Sequence, residues 1–236
     1  MVVEEDTMKV IIFDVKGKVA HFRRPDTTST QLTYPFITPT AVKGLVGAIL
    51  GIEDFITNDK IGIQVLNPVR AVAQQMSMLG KDSGSTFNRP TTIELLVNPA
   101  YRIYYMGEEY GEQLASFLQK QHAVYPTYLG SAYALTKPIL YDIRENVRNI
   151  GNINQPIQTK TVIPTRIIRS LQFQQDRQYS RAGGFLRFYK GDRTFEQSID
   201  FIYEQEGKSI SFILDTEALS SDIQLIDVGG EAVCLF

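Results

Sequence analysis

The chain has 236 residues, 43% of them hydrophobic, with a formal net charge of −2 and one cysteine. That composition supports a sizeable core and argues against intrinsic disorder, while the lone Cys234 excludes an internal disulfide and a multi-cysteine zinc site. The acidic start MVVEEDTMK lacks the apolar stretch of a signal peptide, and the longest apolar run, 44–52, is far short of a bilayer span, so a soluble cytoplasmic protein with no membrane partner is expected.

The near-neutral average conceals a segregation. Residues 16–44 carry Lys16, Lys18, Arg23, Arg24 and Lys43 against Asp26 alone, and residues 160–193 carry eight basic residues against Asp176 and Asp192. Residues 194–231 then hold nine acids and only Lys208. Such an arrangement lets one face attract a polyanion; the competing reading is an ordinary solvated strand face.

In chain order, Met8 to Val19 reads as a first strand covered on one face, with Val15, Gly17 and Val19 alternating with Lys16 and Lys18. A basic, hydroxyl-rich loop follows, and then TPTAVKGLVGAILG. There Thr38 is an N-cap, Pro39 suits the first helical position, Val42, Leu45, Val46 and Ile49 recur at helical spacing, and Gly51 supplies the stop. An apolar segment from Ile63 to Leu79, the polar GKDSGSTFNRP and a β-rich run from Thr91 to Met106 predict a long hairpin over about 70–100. A second helix is expected from Glu109 to Lys120, with Leu114, Phe117 and Leu118 inward. After the loop YPTYLGS, a strand-like segment runs from Ala132 to Asp142. A polar stretch over 144–159 precedes strand-like runs at 161–174, 184–190, 194–204 and 208–214. No repeat or low-complexity segment is present.

The predicted fold class is therefore α+β. Strand, helix, strand, strand, helix, strand is the order of a ferredoxin-like βαββαβ unit, an architecture shared with RNA-recognition modules. It accounts for residues 1–143, with the hairpin as an insertion, and leaves 144–236 as a β-rich C-terminal extension.

Residues 20–51, AHFRRPDTTSTQLTYPFITPTAVKGLVGAILG, resemble the N-terminal signature of the CRISPR-associated Cas-five family, in which A-x-F-R is followed by Y-P, T-A-x-x-G and a closing A-I-L-G. Residues 128–138, YLGSAYALTKP, resemble its second recurring block, and the A-I-L-G ending looks like the type I-B branch. The resemblance implies a repeat-associated RNA-binding protein on the ferredoxin-like fold. Its implied role is to bind the 5′ handle of the CRISPR RNA within the Cascade surveillance complex. The implied partners are the backbone subunit, the large subunit and target DNA near the adjacent motif. The hairpin would be that family's thumb, reaching along the guide.

Single-stranded RNA is held by cations on phosphates, planar groups on unstacked bases and polar contacts to 2′-hydroxyls. Arg23 and Arg24 suit phosphate, Tyr34 (or Phe22) suits stacking, and Thr27 to Thr30 offer hydroxyls. The helix start at Thr38 to Thr40 offers backbone N–H groups, with Lys43 one turn inside and Gly44 permitting close approach. Arg70, Lys81 and Arg89 lie along the hairpin. The competing reading makes Phe22 and Tyr34 core aromatics, the preferred assignment for Phe22, and the arginines surface solubilisers.

One branch of the family cleaves precursor RNA without metal, using a tyrosine in the first helix and a Lys-His pair before the second. Those positions fall here at Leu50 and at Glu108 and Glu109, which cannot supply a base and a cation. The favoured expectation is a non-catalytic subunit with no cofactor and no metal. The alternative is an endoribonuclease using His21 or His122 as base, assisted by Tyr34 or Lys43. A protein-binding scaffold that touches little RNA is a third reading.

Overall fold

A computed structural model describes residues 8–82, 84–151 and 155–236. Fifteen strands and two α-helices are present among them: β1 (Met8–Lys16), β2 (Val19–Ala20), α1 (Pro39–Leu50), β3 (Lys60–Val65), β4 (Ala71–Asp82), β5 (Ser85–Val97), β6 (Ala100–Met106), α2 (Gly111–Gln119), β7 (Ile139–Asn149), β8 (Ile157–Thr159), β9 (Ile163–Pro164), β10 (Ile168–Gln172), β11 (Tyr179–Leu186), β12 (Ser198–Glu204), β13 (Ile210–Leu214), β14 (Gln224–Val228) and β15 (Glu231–Leu235).

The main sheet has nine strands in the order β10-β13-β8-β15-β14-β7-β1-β6-β3. Within it β7, β1, β6 and β3 are antiparallel neighbours, and α1 and α2 connect β1 to β3 and β6 to β7. The sheet curls until the outer edge of β3 meets the C-terminus, where Ile61 and Phe236 exchange backbone hydrogen bonds of 3.1 and 2.9 Å.

The covering of β1 differs from expectation. Ile11, Phe13 and Val15 face the principal core beside Val42, Val46, Ile49 and Leu114, whereas Val10 and Ile12 face a second core with Val147, Ile226, Val233 and Leu235. Burial on both faces requires an uninterrupted apolar run, which is what VIIF supplies. The second core exists because β14 and β15 cover that face. Their hairpin was not foreseen, although Gly229-Gly230, both at positive φ, is the two-residue turn that antiparallel strands favour.

The expected boundary at residue 143 falls inside β7, which pairs with β1 from Ile139 to Val147 and with β14 at Arg148 and Asn149. The polar stretch at 144–149 is thus strand, and the extension continues the sheet rather than standing apart.

The helix signals of α1 hold in detail. The Thr38 Oγ1 accepts a hydrogen bond from the Ala41 N–H at 3.1 Å, Pro39 opens the helix, and Gly51 closes it in the left-handed conformation at φ 79°. The long hairpin β4–β5 runs in unbroken register from Ala71↔Leu96 to Asp82↔Ser85. Val72, Leu79 and Phe87 are exposed along it, so it projects from the body.

Candidate nucleic-acid interface

The signature segment is a compact loop clamped at three points. Residues 22–34 fold back on themselves through the Arg24 N–H to Leu32 O and Tyr34 N–H to Phe22 O bonds. Gln31 bonds the backbone of Thr92 and Glu94 at the root of β5. Behind the loop, the Leu129 carbonyl accepts the His21 N–H, and a Cβ on Gly130 would collide with the His21 carbonyl oxygen. Gly130 also sits at φ 82°, so the second recurring block needs glycine there on two counts.

Two cavities open on either side of the exposed Gly44 of α1. The first, about 390 Å³, is lined by His21, Arg23, Tyr34, Thr38, Thr40, Tyr128 and Gly130 among others. The second, about 520 Å³, is lined by Lys43, Asp59, Lys60, Arg187, Phe188 and Asp222 among others. Thr40 and Gly44 border both. A Cβ on Gly44 would meet nothing within 4 Å, so the ridge between the cavities is open.

The expected residues are therefore not one continuous ledge. Arg23 is exposed and has no ion pair among the described residues. Arg24, by contrast, is held by Asp26 through a pair at 2.7 Å, and the Asp26 hydrogen bond keeps its proton more tightly bound than usual. Lys43 turns to the other side of α1, where its Nζ donates to the Thr57 carbonyl at 3.0 Å beside the Phe188 ring. Burial lowers its pKa from 10.5 to about 8.

Tyr34 is corrected. It is buried, its ring stacks on Phe185 at 4.3 Å, and its hydroxyl donates to the Gly184 carbonyl at 2.6 Å, so its π-face is not available to a base. Phe22 is a core residue as expected, edge-on to Tyr101.

The helix start is also less open to phosphate than expected. Pro39 has no N–H and is buried, and the Ala41 N–H is taken by Thr38, leaving Thr40 as the first-turn donor not used by the cap. The Thr38 and Thr40 hydroxyls bond each other at 3.1 Å.

On the long hairpin, Arg70 is exposed at the base, where its carbonyl accepts the Val97 N–H. Lys18 lies across β5 from it, before β2, its carbonyl accepting the Asn98 N–H. Lys81 and Arg89 are exposed but fall on opposite faces: Arg89 pairs with Met78 and Lys81 with Thr86, and pairing positions alternate sides.

Five of the eight basic residues at 160–193 pair with the acidic run after them. Lys160 pairs with Glu231, Arg166 and Arg187 with Asp222, Arg181 with Asp200, and Lys190 with Glu196, at 2.6 to 2.8 Å. Arg177 pairs with the adjacent Asp176, and Arg169 and Arg193 have no ion pair among the described residues, so much of the segregation along the chain becomes pairing in the fold.

Sequence reasoning passed over Arg187, Phe188 and Tyr128 as cavity walls. Phe188 stands at φ 31°, uncommon for a non-glycine residue, with the Arg187 guanidinium 4.3 Å from its ring centre. Only the pairing of distant strands brings it to α1.

Of the residues weighed for cleavage, His122 is exposed against Phe117 and does not line either cavity, while Leu50 is buried in α1. Glu108 and Glu109 border a third cavity with Asp59 and Glu112. No group of three metal-ligating side chains and no helix long and apolar enough to cross a membrane occurs among the described residues.

The comparisons with known proteins bear on the same segment. Residues 10–109 match the family model "CRISPR-associated protein (Cas_Cas5)". A CRISPR protein from Archaeoglobus fulgidus is similar over 96% of this chain and 98% of its own, with 14% identity and a TM-score of 0.56. A chain of a CRISPR RNA-guided surveillance complex is similar over 88% of this chain and 92% of its own, with 11% identity and a TM-score of 0.55. No curated protein matches. The match over residues 10–109 contains the whole signature segment, and the large curled sheet of this mixed α/β chain is similar in fold to both CRISPR proteins.

Proposed function

We propose that the chain is an RNA-binding subunit of a type I CRISPR effector complex of the Cascade kind, working in the cytoplasm. It holds the 5′ handle of the CRISPR RNA at the two cavities over α1 and leaves the strand uncut. The β7-β1-β6-β3 arrangement, with two crossing helices, supports reading residues 8–149 as a ferredoxin-like unit carrying the β4–β5 thumb. The observation that carries the proposal is the exposed, unpaired Arg23 at the lip of a cavity inside the family-matched segment. Thumb residues Arg70, Lys81 and Arg89 then contact the guide as it leaves, and neighbouring backbone and large subunits cover the exposed thumb and sheet edges. A strand held this way depends on phosphate neutralisation, so affinity falls steeply with salt. Purification of the tagged chain with its complex, followed by sequencing of the bound RNA, tests the reading. Enrichment of repeat-derived 5′ ends is expected, and unselective or absent RNA overturns it.

A ribonuclease reading is favoured by one observation, the neutral imidazole of His21 in the first cavity. The groups proposed to assist it are otherwise engaged, Tyr34 with Gly184 and Lys43 in the second cavity. Incubating labelled repeat RNA in EDTA separates the readings: a site-specific product that His21→Ala abolishes would establish cleavage.

A further inference from the structure

We infer that the face presented by residues 124–141 docks a neighbouring protein subunit, through a segment of that subunit that is apolar at its centre and bordered by acidic side chains. The inference rests on the effector-complex part of the reading above and is independent of RNA binding.

The first half of this segment is a small hairpin with apolar residues on both sides. Tyr128 and Leu135 are bridge partners, the Leu129 N–H donates to the Ala134 carbonyl at 2.8 Å, and the Thr127 hydroxyl donates to the Thr136 carbonyl at 2.7 Å. Leu129 and Ala134 are buried in the principal core, whereas Tyr128 and Leu135 alternate with them and are exposed. A run that is apolar on both faces is the pattern of a strand covered on both sides, as β1 is. Here the chain itself covers only one.

The open side is not a scatter of single residues. Thirteen large hydrophobic side chains are exposed among the described residues, and seven of them fall within 124–141. Leu135 at 65%, Tyr141 at 57% and Tyr133 at 50% are the most open of the seven. From Ala123 to Tyr141 the only charged residue is Lys137. Tyrosine enrichment with depletion of charge is the composition found at the centre of protein–protein interfaces. The backbone is also fixed in advance: the Thr136 hydroxyl donates to the Lys16 carbonyl at 2.8 Å, and the Leu129 carbonyl accepts the His21 N–H, so docking has little chain left to order.

Charge at the border selects the partner. Lys16, Lys120 and Lys137 are exposed and form no ion pair among the described residues, and the Lys137 Nζ reaches only the neutral Gln121 side-chain oxygen, at 2.8 Å. The acids nearby are already engaged, Asp14 by Arg102 and Asp142 by Arg144. A partner with an acidic border meets free cations, and one with a basic border meets no free acid. A nucleic-acid strand fits this face poorly, because Leu135 and Ile139 offer no ring on which a base can stack.

Photo-cross-linking tests the inference. p-Benzoylphenylalanine replaces Tyr133 in the tagged chain, the effector complex that assembles on it is purified and irradiated, and the cross-linked peptide is sequenced by mass spectrometry with and without ribonuclease digestion. The expected product joins one other subunit at an apolar segment flanked by Asp or Glu, and ribonuclease does not change it. Leu135→Glu should lower retention of that subunit at least ~10-fold, as for a buried interface anchor. The free Leu135→Glu chain should melt within about 2 °C of wild type, since the side chain is open there. Lys137→Glu should weaken retention less, and more at low salt than at high.

A cross-link to RNA, to a second copy of this chain or to a segment without acidic residues overturns the inference. So does an assembled complex that gives no cross-link, or one in which Leu135→Glu retains the subunit. A tagged chain that purifies with no other subunit overturns the effector-complex reading as well.

Discussion

Tyr34 and Phe185, 151 positions apart, stack at a centroid distance of 4.3 Å, and the Tyr34 hydroxyl donates to the carbonyl of the neighbouring Gly184. The Tyr-Pro-Phe step of the signature thus clasps the β11–β12 sheet of the C-terminal extension, with Phe36 stacked on the same Phe185 at 4.9 Å. Tyr34→Phe is expected to keep the stack and lose the hydrogen bond, costing about 0.5–1.5 kcal/mol by urea denaturation. Phe185→Ala, which empties a fully buried site, should cost about 3–5 kcal/mol. RNA affinity of Tyr34→Phe should equal wild type; a large drop would mean the hydroxyl contacts RNA instead of serving only the Gly184 carbonyl.

Gly130 tests the second recurring block. An alanine there takes a left-handed backbone that side chains disfavour and collides with the His21 carbonyl. Strain of this kind costs about 1–3 kcal/mol before the clash is counted, so Gly130→Ala should lower the melting temperature by several degrees. Gly44→Ala is the control, with open space and helical backbone, and should stabilise by about 0.5–1 kcal/mol.

Arg23 and Arg24 should separate in binding. Arg23→Ala is expected to weaken RNA binding and reduce the slope of log affinity against log salt by about one unit, with under ~0.5 kcal/mol change in stability. Arg24→Ala should do less, since Asp26 already occupies that guanidinium. Asp26→Asn should raise affinity by releasing it. Equal effects of the two arginine variants would contradict the assignment.

Lys43 gives a pH signature. Burial lowers its pKa from 10.5 in the unfolded chain to about 8 when folded, so the unfolded state holds its proton more tightly. The resulting penalty is fully present below pH 8 and is relieved as pH rises from about 8 to 10.5. Lys43→Met should therefore flatten stability over that interval, seen as a wild-type minus variant difference in chemical denaturation. If the ammonium meets phosphate in the second cavity, wild-type RNA affinity should also fall as pH passes 8.

Asp222 is the hinge of the charge pairing. Burial pushes its carboxyl pKa up, but hydrogen bonds from Ser220, Arg187 and Arg166 outweigh this and hold it well below the usual range. Its contribution is present above the ordinary carboxylate pKa and fades as pH falls through the lower folded value. Asp222→Ala strands Arg187, only 4% exposed, and should cost about 3–5 kcal/mol. Arg187→Met should cost markedly less, because it leaves the more exposed partner.

Sequence alone determined what local chemistry controls. The cap at Thr38, Pro39 and the stop at Gly51 define α1 because each acts within a few residues, and the alternating arms of the β4–β5 hairpin and the apolar stripe of α2 are legible for the same reason. The motif in residues 20–51 likewise pointed to the family. Tertiary structure alone decided which side chains are available. Arg23 and Arg24 are adjacent in sequence, yet one is open and the other is paired. Lys43 points away from both, Tyr34 is consumed by Phe185, and most of the basic run after residue 160 is answered by acids up to 71 residues further on. The physical reason is that burial and pairing are set by strands distant along the chain, and a residue's type carries no information about the partner that will neutralise it.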